Sequence, residues 1–181
     1  MPLEFMREGS ASDRRALWLV FPLSILLIAV VSWFTVLHTT AMVDGLSMYP
    51  TLHDRDYLLI TQGYSRPVRG DVIAFSASAA PEDARNEVLK RVVAVPGDTV
   101  EVRSGEAIVN GAPERGSYSL QLSADDVSTD EITVPEGTLF VLGDNRPDSV
   151  DSRFFGPVPL DLVVGKAIAV FAPINRVRWI D

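Results

Sequence analysis

From Ala16 to Leu37 the chain carries no charged side chain and is dominated by Leu, Val, Ile, Phe and Trp. These 22 residues, wound as a helix, are about 33 Å long, close to the thickness of a bilayer's hydrocarbon core. In lipid such a run folds as a helix, because only then do its backbone polar groups pair internally. A cleaved leader peptide is the competing reading, with Thr39-Thr40-Ala41 as a weak small-residue cleavage site. A leader's apolar core is usually about 7–15 residues, so the length favours a permanent anchor. Trp18 and Trp33 fall near its two ends, where indole rings favour the membrane interface. Pro22 is expected near the first turn, where it does least damage. Arg7, Arg14 and Arg15 precede the run and the next basic residue is Arg55, so the N-terminus is expected to be cytoplasmic. The chain then divides into a tail, 1–15, a transmembrane helix, 16–37, and an extracytoplasmic domain, 38–181.

Three of the 16 Lys and Arg and three of the 24 Asp and Glu precede residue 38, leaving 13 and 21 after it. That portion therefore carries the whole net charge of −8. An acidic domain is a poor ligand for nucleic acid, and none is expected as a partner. The chain has no cysteine, which excludes disulfides, thiol catalysis and thiolate-ligated metal. Beyond the anchor, short apolar runs alternate with Gly, Pro and Asp turns. Strands are expected at Tyr57–Thr61, Asp71–Phe75, Glu87–Val95, Thr99–Val102, Ala107–Val109, Thr138–Leu142 and Lys166–Phe171. Ser104-Gly105-Glu106 and Asn110-Gly111 read as tight turns. Ser76–Asn86 reads as an exposed loop. Its Ala77-Ser78-Ala79 pattern makes slow self-cleavage after Ala79 an expectation. Gly111–Asp130 reads as a peripheral insertion. The fold expected is mainly β.

Ser47 and Lys90 are the candidate chemistry. Lys90 is one of two lysines in the chain and lies in Val88-Leu89-Lys90-Arg91-Val92-Val93-Ala94-Val95. Alternation puts it on one strand face with Val88, Val92 and Ala94. An apolar setting disfavours the ammonium, and a neutral lysine can take a proton from a serine hydroxyl. His53 lies six residues from Ser47 across a proline turn and amid Asp54 and Asp56, so it reads as a solvated loop residue rather than a catalytic base. Asp144–Asp151 lacks the glycine at position six and the acidic residue at position twelve of a calcium loop. No metal or cofactor is expected. Met48, Tyr49 and Leu52 read as core, with a lipid-dipping skirt as the other reading of Met48 and Tyr49.

Four segments occur in order: Ser47-Met48-Tyr49-Pro50-Thr51-Leu52, Arg69-Gly70-Asp71-Val72, Lys90-Arg91-Val92-Val93-Ala94-Val95-Pro96-Gly97-Asp98, and Gly143-Asp144-Asn145-Arg146-Pro147-Asp148-Ser149-Val150-Asp151-Ser152-Arg153. Together they resemble bacterial type I signal peptidase, a Ser/Lys endopeptidase. The resemblance implies a β catalytic core with a small inserted cap, placed at about 102–134. It implies Ser47 as nucleophile, Lys90 as general base and Ser149 as the hydroxyl that orients the lysine. Asp151 and Arg153 would be an ion pair bracing the catalytic loop. Some members of that family carry an oxyanion-hole serine where this chain has Gly45, so the hole would rely on backbone N–H groups such as that of Ser47. Met42, Val43, Asp44 and Gly45, with Glu87, Val88 and Leu89, would flank an extended substrate.

The function expected is cleavage of signal-peptide-bearing preproteins after an Ala-x-Ala pattern, at the lipid bilayer of a bacterial plasma membrane. Ser47 follows Leu37 by ten residues, at most about 35 Å of chain, which keeps it near the bilayer. A catalytically silent module that only binds preproteins is the alternative. A self-cleaving repressor-type Ser/Lys protease fits less well, because no DNA-binding segment precedes Ser47.

Overall fold

The uncharged run folds as one helix, α1 (Ala11–Leu37), in the computed structural model. Residues 11–79, 87–116, 118, 120–122 and 127–180 are described, and the chain separates into two units, Met1–Leu37 and His38–Asp181. Residues 1–10 of the expected tail lie outside the described residues. The helix starts ahead of the uncharged run because helix propagation is cooperative and carries the preceding turn with it. Pro22 consequently sits inside the helix rather than near its first turn. Val20–Leu37 is long and apolar enough to cross a membrane, and Phe21, Leu23, Leu27, Val31, Trp33 and Val36 are exposed. A helix apolar all round needs an apolar surrounding.

The second unit is mainly β. Seven antiparallel strands follow one another in the order β1 (His38–Met42), β2 (Tyr57–Gln62), β11 (Val163–Ala172), β3 (Val72–Ser76), β4 (Glu87–Ala94), β9 (Thr138–Leu142) and β10 (Val158–Pro159), and β12 (Arg178–Trp179) adds to β11. A smaller sheet has the order β7 (Ala112–Pro113), β6 (Glu106–Val109), β5 (Thr99–Arg103) and β8 (Thr129–Thr133). All seven strands expected from the sequence form. The small sheet is an insertion between β4 and β9 that starts at Thr99, slightly earlier than the expected cap. Ser104 and Gly105, then Asn110 and Gly111, all have positive φ, the backbone that two-residue hairpin turns require.

Three apolar clusters hold the unit together. Met48 and Leu52, from the connection between β1 and β2, pack with Leu58, Ile60, Val72 and Val170. Burying each such side chain contributes about 1.5–3 kcal/mol, which fixes that connection to the sheet. Met48 is therefore core, whereas Tyr49 is exposed. Phe75, Val88, Val92 and Val141 form a second cluster. The third joins Val93, Ala94, Phe140 and Leu142 of the large sheet to Val100, Val102, Ala107 and Val109 of the small one. Ala94 thus packs with Val93 instead of sharing a face with Lys90 and Val92. The β4–β9 register shifts between Val92 and Ala94, and such a shift breaks strict alternation.

The expected exposed loop is only partly so. Ala77–Ala79 form a 3-10 turn, and Ala77 and Ala79 pack against the second cluster. A turn held against the core is a poor protease substrate, which counts against the self-cleavage expected after Ala79. The remainder, 80–86, lies outside the described residues.

An ion pair ties the turn after β11 to the start of β2. Arg176 donates from Nε to Asp56 Oδ1 at 2.7 Å and from Nη2 to Oδ2 at 2.9 Å, and the His53 N–H adds a third bond at 2.9 Å. Burial works to raise the Asp56 pKa, but these donors outweigh it and hold the carboxyl below the usual carboxylate range. A depressed folded-state pKa contributes stability that is present above about pH 4 and is lost as pH falls through the folded value. The expected outcome is a melting temperature that drops on acidification below about pH 4. Asp56→Asn should lower the neutral-pH melting temperature and flatten part of that drop. An unchanged pH profile in the variant would contradict the assignment.

Candidate active site

Ser47 lies in the turn that leaves β1, and Lys90 lies midway along β4. Lys90 is 2% exposed, and its Nζ donates to Ser47 Oγ at 2.8 Å. β2, β11 and β3 separate β1 from β4 in the hydrogen-bonded order, yet Met42–Gly45, Ser47 and Met48 line one pocket with Glu87–Lys90. The sheet therefore curls, and its first and fifth strands approach each other across that pocket. Both strands present an edge there. β1 pairs only with β2 among the described residues. β4 pairs with β9 from Arg91 onward, and Glu87, Val88, Leu89 and Lys90 have β3 alone as a ladder partner among the described residues. Two strand edges facing a gap are a template for a third, extended chain.

Two concavities meet at the Ser47–Lys90 pair. One is a pocket of about 50 Å³ between the two strand edges, lined by Met42, Val43, Asp44, Gly45, Glu87, Val88 and Leu89 together with Ser47, Met48 and Lys90. The other is a cleft of about 630 Å³, bounded by Asp44–Ser47 on one side and by Pro147–Val150 and Phe154 on the other. All six side chains and Gly45 that the sequence assigned to substrate or its surroundings thus border the smaller pocket. Val43 and Val88 are buried, while Met42, Asp44 and Glu87 are exposed.

Gly45 has φ 100°, a left-handed backbone that favours glycine, and its N–H is held by Asp54 Oδ1 at 3.0 Å. The residue serves the shape of the turn, and its N–H is committed elsewhere. His53 packs its ring on Tyr49, with centroids 5.0 Å apart, while the Ser47 hydroxyl has Lys90 as its partner.

Ser149 borders the larger cleft with Ser47 and Lys90. Its hydroxyl donates to Asp151 Oδ2 at 2.8 Å. A hydroxyl whose hydrogen is committed to a carboxylate still offers lone pairs to a nearby amine. Asp151 and Arg153 form a fully buried, two-pronged pair, Nε–Oδ1 2.8 Å and Nη2–Oδ2 2.9 Å. Arg153 also donates to the carbonyls of Arg146 and Ser149, and the Gly143 N–H donates to Asp151 Oδ2 at 3.0 Å. A buried pair satisfied on every side fixes loop geometry more than it adds net stability.

Several residues of the quoted segments have structural roles that the sequence did not assign. Asn145 donates from its backbone N–H to the Ser47 carbonyl at 3.0 Å and from Nδ2 to the Leu46 carbonyl at 3.1 Å. Asp144 and Arg91, both fully buried, pair through two bonds of 2.8 and 2.7 Å. Thr51, from the nucleophile turn, donates to the same Asp144 carboxylate. One ion pair therefore joins the turn of Ser47, the strand of Lys90 and the loop of Ser149. The signal available in sequence was the adjacency of these residues to the candidates: Arg91 follows Lys90, and Asp144 and Asn145 open the segment that contains Ser149. Among the described residues no group of His, Asp or Glu is arranged to hold a metal ion.

A family model described as signal peptidase, peptidase S26, matches residues 15–172. A signal peptidase I of Leptolyngbya laminosa is 39% identical over 137 residues, covering 72% of this chain and 66% of the relative. Thylakoidal processing peptidase 1 of Arabidopsis thaliana is 32% identical over 145 residues, covering 75% of this chain and 42% of the relative. Signal peptidase I T of Bacillus subtilis is 33% identical over 152 residues, covering 76% and 75%. The chain spans less than two thirds of the length of the first two.

Proposed function

Because the chain belongs to the signal peptidase family, peptidase S26, we propose that it is a membrane-anchored serine endopeptidase that removes signal peptides from exported preproteins. The observation that carries the reading is the 2.8 Å bond between a 2%-exposed lysine and a serine where two clefts meet. In this reading α1 spans the plasma membrane once, with the arginines before it on the cytoplasmic side and His38–Asp181 outside.

The substrate's residues before the cut add as an extended strand between the end of β1 and Glu87–Leu89, held by main-chain pairing. A pocket of about 50 Å³, far smaller than the cleft of about 630 Å³ beside it, supports small residues before the cut. The residues after the cut run into the cleft of about 630 Å³ on the other side of Ser47. Ser47 Oγ attacks the scissile carbonyl while Lys90, as the neutral amine, takes its proton. The Ser47 N–H stabilises the oxyanion. Lys90 then gives the proton to the leaving amine and afterwards activates the water that hydrolyses the acyl-enzyme. Ser149 accepts from Lys90 and holds it in line, its own hydrogen being engaged by Asp151. Asp151–Arg153 keeps Ser149 in place.

The test is incubation of the detergent-solubilised protein with a preprotein bearing Ala-x-Ala, beside the same preprotein with Leu directly before the cut. One new N-terminus immediately after Ala-x-Ala is expected, with cleavage of the Leu version slower by about 10²-fold, since an oversized side chain must displace wall atoms. Equal cleavage of both would remove the pocket from the reading. Binding of the preprotein without cleavage would favour a silent binding module.

A further inference from the structure

Glu114, Tyr118 and Gln121, in the insertion between β6 and β8, make contacts with the catalytic loop and with Arg91 of β4. Glu114 Oε2 accepts from Arg146 Nη2 at 2.5 Å. The Tyr118 ring lies flat enough on the buried Arg91 guanidinium to bring its centroid within 3.6 Å of Cζ. Gln121 donates its N–H to the Asp144 carbonyl at 2.8 Å and accepts the Arg146 N–H at 3.0 Å. The residue clasped between those two bonds is Asn145, which holds the carbonyls of Ser47 and Leu46. Two of these residues are also tied to each other, because Tyr118 Oη donates to Glu114 Oε1 at 2.7 Å. Burial first, then the Glu114 carboxylate, push the Tyr118 phenol well above its ordinary pKa, so it remains a donor.

We infer that Glu114, Tyr118 and Gln121 act together as a positioning strap for the dyad, and that Tyr118 is its key residue. The inference rests on the peptidase reading above. Tyr118 stacks on a face of the Arg91 guanidinium, whose in-plane N–H groups bond Asp144, Gly70 and Thr51. A guanidinium stacked on an aromatic face is attracted to it, the more so when water is excluded. Arg91 held in this way keeps Asp144 in register, Asp144 keeps Thr51 and Asn145 in register, and these fix the backbone of Ser47. Arg91 also adjoins Lys90 on β4, so displacement of either partner changes the Ser47–Lys90 distance. A residue outside the cleft thereby controls attack geometry without touching substrate.

Gly116 supplies an independent handle. A Cβ there would overlap the edge of the Tyr118 ring, 2.5 Å from Cδ1 and 2.6 Å from Cζ, so Gly116→Ala forces a shift of the ring or of the exposed backbone at Gly116, while leaving every polar group of the network in the chain.

The experiment measures kcat, KM and melting temperature for preprotein cleavage by the full chain in detergent, with Tyr118→Leu, Tyr118→Phe and Gly116→Ala beside the wild type. Tyr118→Leu and Gly116→Ala are expected to lower kcat about 10-fold or more at unchanged KM, as small misplacements of reacting groups do. Tyr118→Phe keeps the stacked ring and is expected to recover at least half the rate. A Tyr118→Leu kcat within twofold of the wild type would overturn the inference. So would a loss that falls in step with melting temperature, or one that Tyr118→Phe does not recover, because each marks a merely structural role. An inactive wild type would instead overturn the peptidase reading itself.

Discussion

Ser47→Ala and Lys90→Ala should each lower preprotein cleavage by at least about 10³-fold, and the double variant should be little worse than either alone. The physical reason is that the two atoms act as one unit. Without Oγ there is nothing for Lys90 to deprotonate, and without Nζ the hydroxyl keeps its proton and is a weak nucleophile. Their 2.8 Å separation already has the length of a proton-transfer contact. Lys90→Arg should not restore activity, because a guanidinium stays protonated at any working pH. The pH dependence has a definite sign. Only the neutral amine accepts a proton, so activity should rise with pH and fall on acidification. A profile flat from acid to neutral pH, or losses in the single variants that multiply in the double, would count against the shared role. Circular dichroism of both variants should match the wild type, since Ser47 lies in a turn whose anchoring side chains, Met48 and Leu52, are untouched.

Much of this arrangement follows from local rules, and the rest follows from contacts that local rules cannot reach. The seven expected strands are apolar runs bounded by turn residues, and each places at least two residues in the core, so period and punctuation sufficed. β1, His38-Thr39-Thr40-Ala41-Met42, escaped because it is an edge strand of mostly small and polar residues, paired with β2 alone among the described residues. β8 escaped for a related reason, since its residues are largely exposed. β7, β10 and β12 have two residues each, too few to show any period. At the site, Ser47 and Lys90 stand out because a serine beside a proline turn and a lysine inside an apolar strand are each unusual in place. The Arg91–Asp144 pair spans 53 positions, and the Arg146–Glu114 pair spans 32. Nothing within a window of local sequence connects such partners. Tyr118 was read as part of a polar peripheral insertion, and only the tertiary fold brings it onto Arg91. The same limit applies to Ala94, where a bulge in the pairing with β9 overrides alternation along β4.

Gly143→Ala should lower kcat about 10²-fold, although it adds a single methyl group. A Cβ at this position would stand 2.5 Å from the Ser47 carbonyl oxygen and 2.5 Å from Ser149 Cβ, and closer still to Ser149 Oγ. Real Cβ atoms essentially never approach so near, so something must shift. None of the neighbours is free to do so cheaply. The Ser47 carbonyl is held by the Asn145 N–H, and Ser149 Oγ is held by Asp151, which is itself clamped by Arg153 and by the Gly143 N–H. The strain therefore falls on the nucleophile's backbone and on the hydroxyl proposed to orient the base. A shift of about 1 Å in either can cost about 10²-fold in rate, which sets the expected loss in kcat. Ser149→Ala alone should cost less, because it removes one orienting hydroxyl and leaves Ser47 in place. Placing Ser149→Ala in the Gly143→Ala background relieves the contact with Oγ but not the one with the Ser47 carbonyl, so it should recover little. The measurement is kcat for the two single variants and the double, with melting temperature as a check on folding. Activity of Gly143→Ala within a few-fold of the wild type would show that the loop can yield, and that the tight approach of Gly143 to Ser47 is not what holds the nucleophile.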